Sequence, residues 1–179
     1  MTSRSFLVKQ LTETAKAIDW AISLMPENRL LEIHPAKDHP KSDDLMKNYF
    51  GSWSAYRLLF HLVFYEENYA IPGLKSFLDN SLFPKKDLSE DENWEKELLK
   101  GVDVNSLLKR FHIIRENQIE IINKIEDESW IKMRTDTYWG KASAEFSVSK
   151  TIQHSFEHGN KIMRLALYWD KLLNWLDQK

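Results

Sequence analysis

Four stretches of the chain repeat apolar residues every three or four positions, the spacing that gathers side chains on one face of an α-helix. In the first, Phe6, Leu7, Leu11, Ala15, Ile18, Ile22 and Met25 form the stripe. Ser3 or Ser5 can cap its start and Pro26 and Asn28 end it, which predicts a helix over 4–25. The second covers 52–69, opening at Gly51 and Ser52, and its middle is apolar almost all round, the mark of a helix enclosed by others. The third covers 104–126, capped by Asp103 or Asn105, with Leu107, Leu108, Phe111, Ile114, Ile121, Ile122 and Ile125 on its stripe. Gln118 interrupts that stripe, either as a buried amide serving a ligand site or as a boundary residue. The fourth, 147–176, is the longest and places Thr151, His154, His158, Ile162, Leu165, Trp169, Leu172 and Leu176 on one face.

The connections are long. Residues 26–50 carry Pro26, Pro35 and Pro40 among charges and predict a loop with one short helical turn near Leu45–Tyr49; His34 and His39 read there as solvated loop residues. Pro72, Gly73, Pro84 and the acidic run from Ser89 to Asn93 mark a crossover over 70–103, with short helices expected at Leu74–Leu78 and Trp94–Leu99. Residues 127–146 lose the helical period and hold Trp130, Tyr138, Trp139 and Gly140, which suits a short hairpin or a lid. Four amphipathic helices joined this way predict an all-α bundle. With 179 residues, 42% of them apolar and seven Trp, the chain fits one domain over 1–179 that can bury a real core.

Composition narrows the function classes. A formal net charge of −2 gives no attraction to nucleic acid or to an anionic membrane. The absence of Cys excludes disulfides, Cys-ligated zinc and a thiol nucleophile on the protein, so any metal must be held by His and carboxylates. The N-terminus lacks a hydrophobic signal region, and the longest apolar stretch, around Leu58–Tyr65, is interrupted by His61 and too short to span a bilayer. A soluble cytoplasmic protein is expected.

The candidate chemistry lies in the histidines. His154 and His158, at i and i+4 on the face the last helix buries, can point both rings at one metal ion. Burying two polar rings on a seam that continues into Leu and Trp requires a reason. The string His154-Ser-Phe-Glu157-His158 matches H-x-x-E-H of inverted zinc proteases. That motif requires a downstream carboxylate ligand in a mixed α/β domain, and only 21 residues follow His158. Glu157 also turns about 100° from His158, and its i+4 neighbour Lys161 favours a surface ion pair. His61, in the middle of the most apolar helix, reads as a ligand beside the downstream pair and as a hydrogen-bonded core residue without it. Glu66 and Glu67 close that helix, Glu66 within reach of a ligand's second ring nitrogen or simply exposed at the helix end. His112, among Lys109, Arg110 and Glu116, reads as surface.

At two points the chain resembles the DinB-like family of metal-dependent enzymes: W-S-A-Y-R-L-L-F-H-L over 53–62 and T-I-Q-H-S-F-E-H-G-N-K over 151–161. Family members tend to show His-x-x-x-His followed by Gly or Arg-Gly and a polar amide. The resemblance extends over nearly the whole chain in helix count, placement and length. It implies a four-helix bundle in a mirror variant of up-and-down topology, with a metal site on its axis at His61, His154 and His158. It also implies an activity on a small molecule: transfer of a low-molecular-weight thiol, isomerisation of a thiol adduct, or hydrolysis. The first helix and the 70–103 crossover are longer than a minimal member needs, and the loop that would cover the site matches no family motif.

Three neutral imidazoles leave positions open on a divalent ion, as catalytic rather than closed structural sites do, and imidazole suits zinc, nickel, copper or iron. Trp53, Tyr56, Tyr65 and Trp139 can wall a small-molecule pocket or serve as plain core. The expected partner is therefore a small molecule, a low-molecular-weight thiol first among them, with a homodimer left open. The alternative is a non-catalytic bundle that binds a metal or ligand as a sensor, scavenger or dimerisation module.

Overall fold

The computed structural model describes residues 3–83 and 88–178, so Pro84 within the expected crossover lies outside the described residues. Helix α1 (Ser3–Ser23) buries Leu11, Ala15, Ile18 and Ile22 of the stripe read from its sequence, while Phe6 in its first turn is exposed. Two short 3₁₀ turns, Glu27–Arg29 and Pro35–Lys37, and helix α2 (Asp44–Phe50), capped by the Asp43 carboxylate, make up the first connection. The remaining helices are α3 (Ala55–Tyr65), α4 (Ile71–Leu78), α5 (Glu90–Leu99), α6 (Val104–Lys124), α7 (Asp127–Ile131) and α8 (Ala144–Gln178). A two-stranded antiparallel hairpin, β1 (Arg134–Thr137) and β2 (Gly140–Ala142), precedes α8 and pairs Arg134 with Ala142 and Thr137 with Gly140. The fold is thus mainly helical. No helix among the described residues is long and apolar enough to cross a membrane.

Several boundaries differ from expectation, each for a local reason. Ser54, rather than Gly51 or Ser52, caps α3 by accepting a hydrogen bond from the Arg57 amide. The helix does not stop at Glu66 and Glu67. It widens into a π turn (Glu66–Ala70) and continues directly as α4 with Pro72 and Gly73 inside it. Pro72 lacks an amide hydrogen and its ring crowds the carbonyl four residues back; the wider turn just before it accommodates both. The acidic run after Ser89 is helical. The Ser89 hydroxyl accepts from the Glu92 amide at 3.3 Å, and Glu90, Asp91 and Glu92 occupy the first turn, where carboxylates meet the positive end of the helix dipole. In the same way Ser143 accepts from the Phe146 amide and starts α8 three residues early. Of the two candidate caps of α6, Asp103 is the one that bonds, to the Ser106 amide.

Helix α8 packs along α1 and α3, α6 packs against α1, α3 and α4, and the apolar faces merge into one buried cluster. That cluster encloses a polar network. Glu66 is fully buried, with one carboxylate oxygen 2.5 Å from Arg115 Nη2 and the other accepting from Gln118 Nε2 at 2.6 Å. Arg115 also donates to the Ser155 hydroxyl and, at 3.3 Å, to the Leu11 carbonyl. Gln118 is therefore the buried amide of the two readings, and Glu66 is a core ion-pair partner instead of an exposed helix end. Burial pushes the Glu66 carboxyl up, against the pull of Arg115, Gln118 and Ser155.

His34 corrects the reading of the first connection. It is buried, stacked on Phe50 at 3.9 Å with the ring planes 4° apart, and edge-on to Trp169. Its Nδ1 accepts from the Ala36 amide at 3.1 Å, so its Nε2–H donates to the Trp169 carbonyl at 3.1 Å. The loop is pinned to α8 through this ring.

Two outcomes are expected from these contacts. Arg115→Met leaves the Glu66 carboxylate buried without its cation and costs about 3–5 kcal/mol in urea denaturation; adding Glu66→Leu removes the orphaned charge and recovers most of the loss. A double variant no more stable than Arg115→Met alone counts against an ionic role for the pair. Burial lowers the His34 pKa below the value of about 6.5 it has when unfolded, so the unfolded chain binds the extra proton first. Stability present at pH 8 is therefore lost as pH falls below ~6.5, and His34→Gln should lower stability at pH 8 but weaken its dependence between pH 8 and 5. Parallel stability–pH curves for the two proteins would remove this assignment.

Candidate metal centre

His61 projects from the middle of α3, and His154 and His158 from successive turns of α8 where that helix packs on α3. The three rings form a triangle, with centroid separations of 4.8 Å (His61 to His154), 4.6 Å (His61 to His158) and 4.5 Å (His154 to His158). One nitrogen from each lies within 4.8 Å of the others. The Nε2 atoms of His61 and His154 are 2.9 Å apart. Two nitrogens bound to one ion at ~2.1 Å stand about 3.0 Å apart at a right angle and about 3.4 Å apart at a tetrahedral angle. The two rings share a hydrogen bond through these atoms, which holds them close to the separation of two ligands on one ion.

A carboxylate that was not expected fixes the orientation of the first ring. Glu90 Oε2 accepts a hydrogen bond from His61 Nδ1 at 2.8 Å, which leaves the Nε2 lone pair facing the other histidines. Arg57 clamps Glu90 at 3.0 Å and the neighbouring Asp91 at 2.9 Å. The guanidinium in turn lies about 5 Å from the Trp53 and Trp94 rings. The chain of support therefore runs from α5 through Arg57 to His61. Sequence reasoning missed Glu90 and Arg57; the signal that bears on Glu90 is the Ser89-x-x-Glu92 capping pattern, which turns the acidic run into a helix start and gives Glu90 a fixed direction.

Burial and neighbouring charges keep His154 and His158 neutral. Burial, then His158, His61, Arg115 and Lys150, drive His154 down to about 3. Burial, then His61 and Lys161, drive His158 down to about 4, with Glu90 pulling the other way. Neutral rings present lone pairs at physiological pH. Nδ1 of His154 and Nδ1 of His158 are buried and have no hydrogen-bond partner, so no protein group competes for those rings through that atom. Among the described residues the cluster contains three His and no further acidic or thiol ligand. The donor set therefore fits a divalent transition metal and does not close around it.

The other sequence candidates fall elsewhere. His39 lies 3.5 Å from Asp177, and His112 bonds Asp19 at 2.7 Å on the surface, as expected for that residue. Glu157 is exposed and accepts from Gln153 Nε2 at 2.8 Å, so the anticipated pairing with Lys161 is replaced by one on its own side of the helix. Of the aromatics, Trp53 faces His61 and His158, and Tyr65 packs at 4.3 Å on His154 while Trp139 packs on Tyr65. Tyr56 belongs to the core and packs on Trp94. The hairpin turn carries Tyr138 and Trp139 over Tyr69 and Tyr65, enclosing with Thr151 a cavity of about 20 Å³, room for one water molecule.

Replacing Glu90 by Gln preserves shape but removes the charge that orients His61. Metal affinity measured by competition with a chelator is expected to drop about 10- to 100-fold with helix content unchanged. An unchanged affinity would show that Glu90 acts on the fold alone.

Neither a protein-family model nor a curated protein matches this chain, and the functional reading therefore rests on the geometry of the three histidines and their support.

Proposed function

We propose that the chain is a metal-dependent enzyme of the DinB-like kind, built as a four-helix bundle. In this reading His61, His154 and His158 hold one divalent ion and the substrate is a small molecule, with transfer of a thiol or hydrolysis of a thiol adduct as the reaction. The observation that carries it is the convergence of three imidazoles, His154 and His158 held neutral by burial, without a fourth protein ligand among the described residues. A divalent ion bound there supplies a Lewis acid that makes a thiol or water far more acidic, which suits a chain without Cys.

The protein's own groups do the positioning. Glu90 and Arg57 hold His61 in one tautomer and direction. Trp53 on one side and Tyr65 with Trp139 on the other restrict the space around the rings to a small, partly apolar ligand. Burial raises the Tyr65 hydroxyl to about 12, so it stays protonated at neutral pH. It serves as a hydrogen-bond donor and not as a base. Zinc, nickel and iron all suit the donor set.

Protein purified without a metal-affinity tag is expected to contain about one equivalent of a transition metal by elemental analysis. His158→Ala should abolish metal retention and leave helix content nearly unchanged, because the packed helices preform the site. Titrating the cobalt-substituted protein with 2-mercaptoethanol should produce a sulfur-to-cobalt charge-transfer band. Metal binding without such a band, together with a closed coordination sphere, would favour the alternative of a non-catalytic metal-binding module.

A further inference from the structure

The histidine ridge of α8 is bracketed by lysines. Lys150, His154, His158 and Lys161 follow at steps of four, four and three residues, which confines them to an arc of about 80° on one side of the helix. Lys150 lies about 6 Å before His154 along the axis and Lys161 about 4.5 Å beyond His158. Both are half-buried, and both act electrostatically on the histidine beside them.

Neither has a carboxylate partner. Lys150 Nζ donates to Gln153 Oε1 at 2.5 Å and lies 5.2 Å from the centre of the Trp139 ring. Lys161 makes no hydrogen bond or ion pair among the described residues. The nearby acids are engaged otherwise: Glu90 by His61 and Arg57, Asp91 by Arg57, and Glu157 by Gln153. Two ammonium groups thus flank the rings without compensation, one toward the Tyr65–Trp139 wall. A divalent ion adds more positive charge. A cationic or strictly neutral ligand leaves this field unanswered, whereas an anionic group set beside the donor atom neutralises it.

We propose that the small molecule taken by this centre carries a carboxylate next to its metal-binding atom, and that the positive charges of Lys150 and Lys161, at the two ends of the histidine ridge, attract that carboxylate. The proposal rests on the three-His metal reading and gives its substrate a charge class.

The cobalt-substituted protein is titrated with 3-mercaptopropionate, 2-mercaptoethanol and cysteamine, which are anionic, neutral and cationic thiols, reading both charge-transfer absorption and calorimetric affinity. The anionic thiol is expected to bind on the order of tenfold tighter than the neutral one, and the cationic one most weakly. Lys161→Ala and Lys150→Ala should each reduce the anionic preference severalfold, the double variant should bring it near unity, and Lys161→Arg should retain it. Cobalt content should stay at the wild-type level throughout, which separates ligand recognition from damage to the metal site. A preference within twofold of unity in the wild type, or one that survives in the double variant, overturns the proposal. If no thiol gives the band, thiol chemistry fails by itself. Succinate against succinamide on the same cobalt protein then decides the charge class, and equal affinities or no binding of succinate overturn it.

Discussion

The arrangement depends on one buried ion pair. Arg115 on α6 reaches Glu66 at the π turn, the Ser155 hydroxyl on α8 and the Leu11 carbonyl on α1, so one guanidinium ties together four separate stretches of chain. A buried ion pair adds little net stability over a well-packed apolar substitute, yet it tolerates very few alternative packings, because any slip leaves a charge without a partner. Two of its anchors adjoin the three-histidine cluster. Ser155 follows His154 and Glu66 follows Tyr65, whose ring packs on His154. Fixing the rotation of α8 and of the α3–α4 junction therefore fixes the directions in which His154 and Tyr65 point.

The π turn belongs to the same constraint. One extra residue in the turn shifts the helical phase after Tyr65, which lets Glu66 face the core and still allows Ile71, Leu74 and Phe77 to bury their side chains further along. Wide turns of this kind are frequently associated with functional sites, and here the turn begins one residue beyond a side chain that touches the histidine cluster. Pro72 then falls where its missing hydrogen is tolerated.

Around the histidines the charges are sorted. The carboxylates of α5 are held by Arg57, and Glu90 also accepts from His61, whereas Lys150 and Lys161 of α8 act on the rings beside them without a carboxylate partner. No acidic residue joins the three histidines in the cluster among the described residues.

The sequence determined the helices, because apolar residues at helical period have to be buried together whatever their partners are; α1, α6 and α8 follow the predicted stripes closely. It also determined the candidate ligands, since the spacing of His154 and His158 fixes both rings on one face before any tertiary contact forms. Tertiary structure decided the rest. His34 looked like a loop residue beside Pro35, and only the approach of Phe50 and Trp169 makes a dry slot for its ring. Gln118 and Glu66 remained ambiguous because a single polar residue near an apolar stripe is stable inside only if its partners arrive from other helices, as Arg115 does. Glu90 lies 29 residues from His61. No local rule connects positions that far apart, and their hydrogen bond exists because α5, capped by Ser89, lies across α3 in the folded chain.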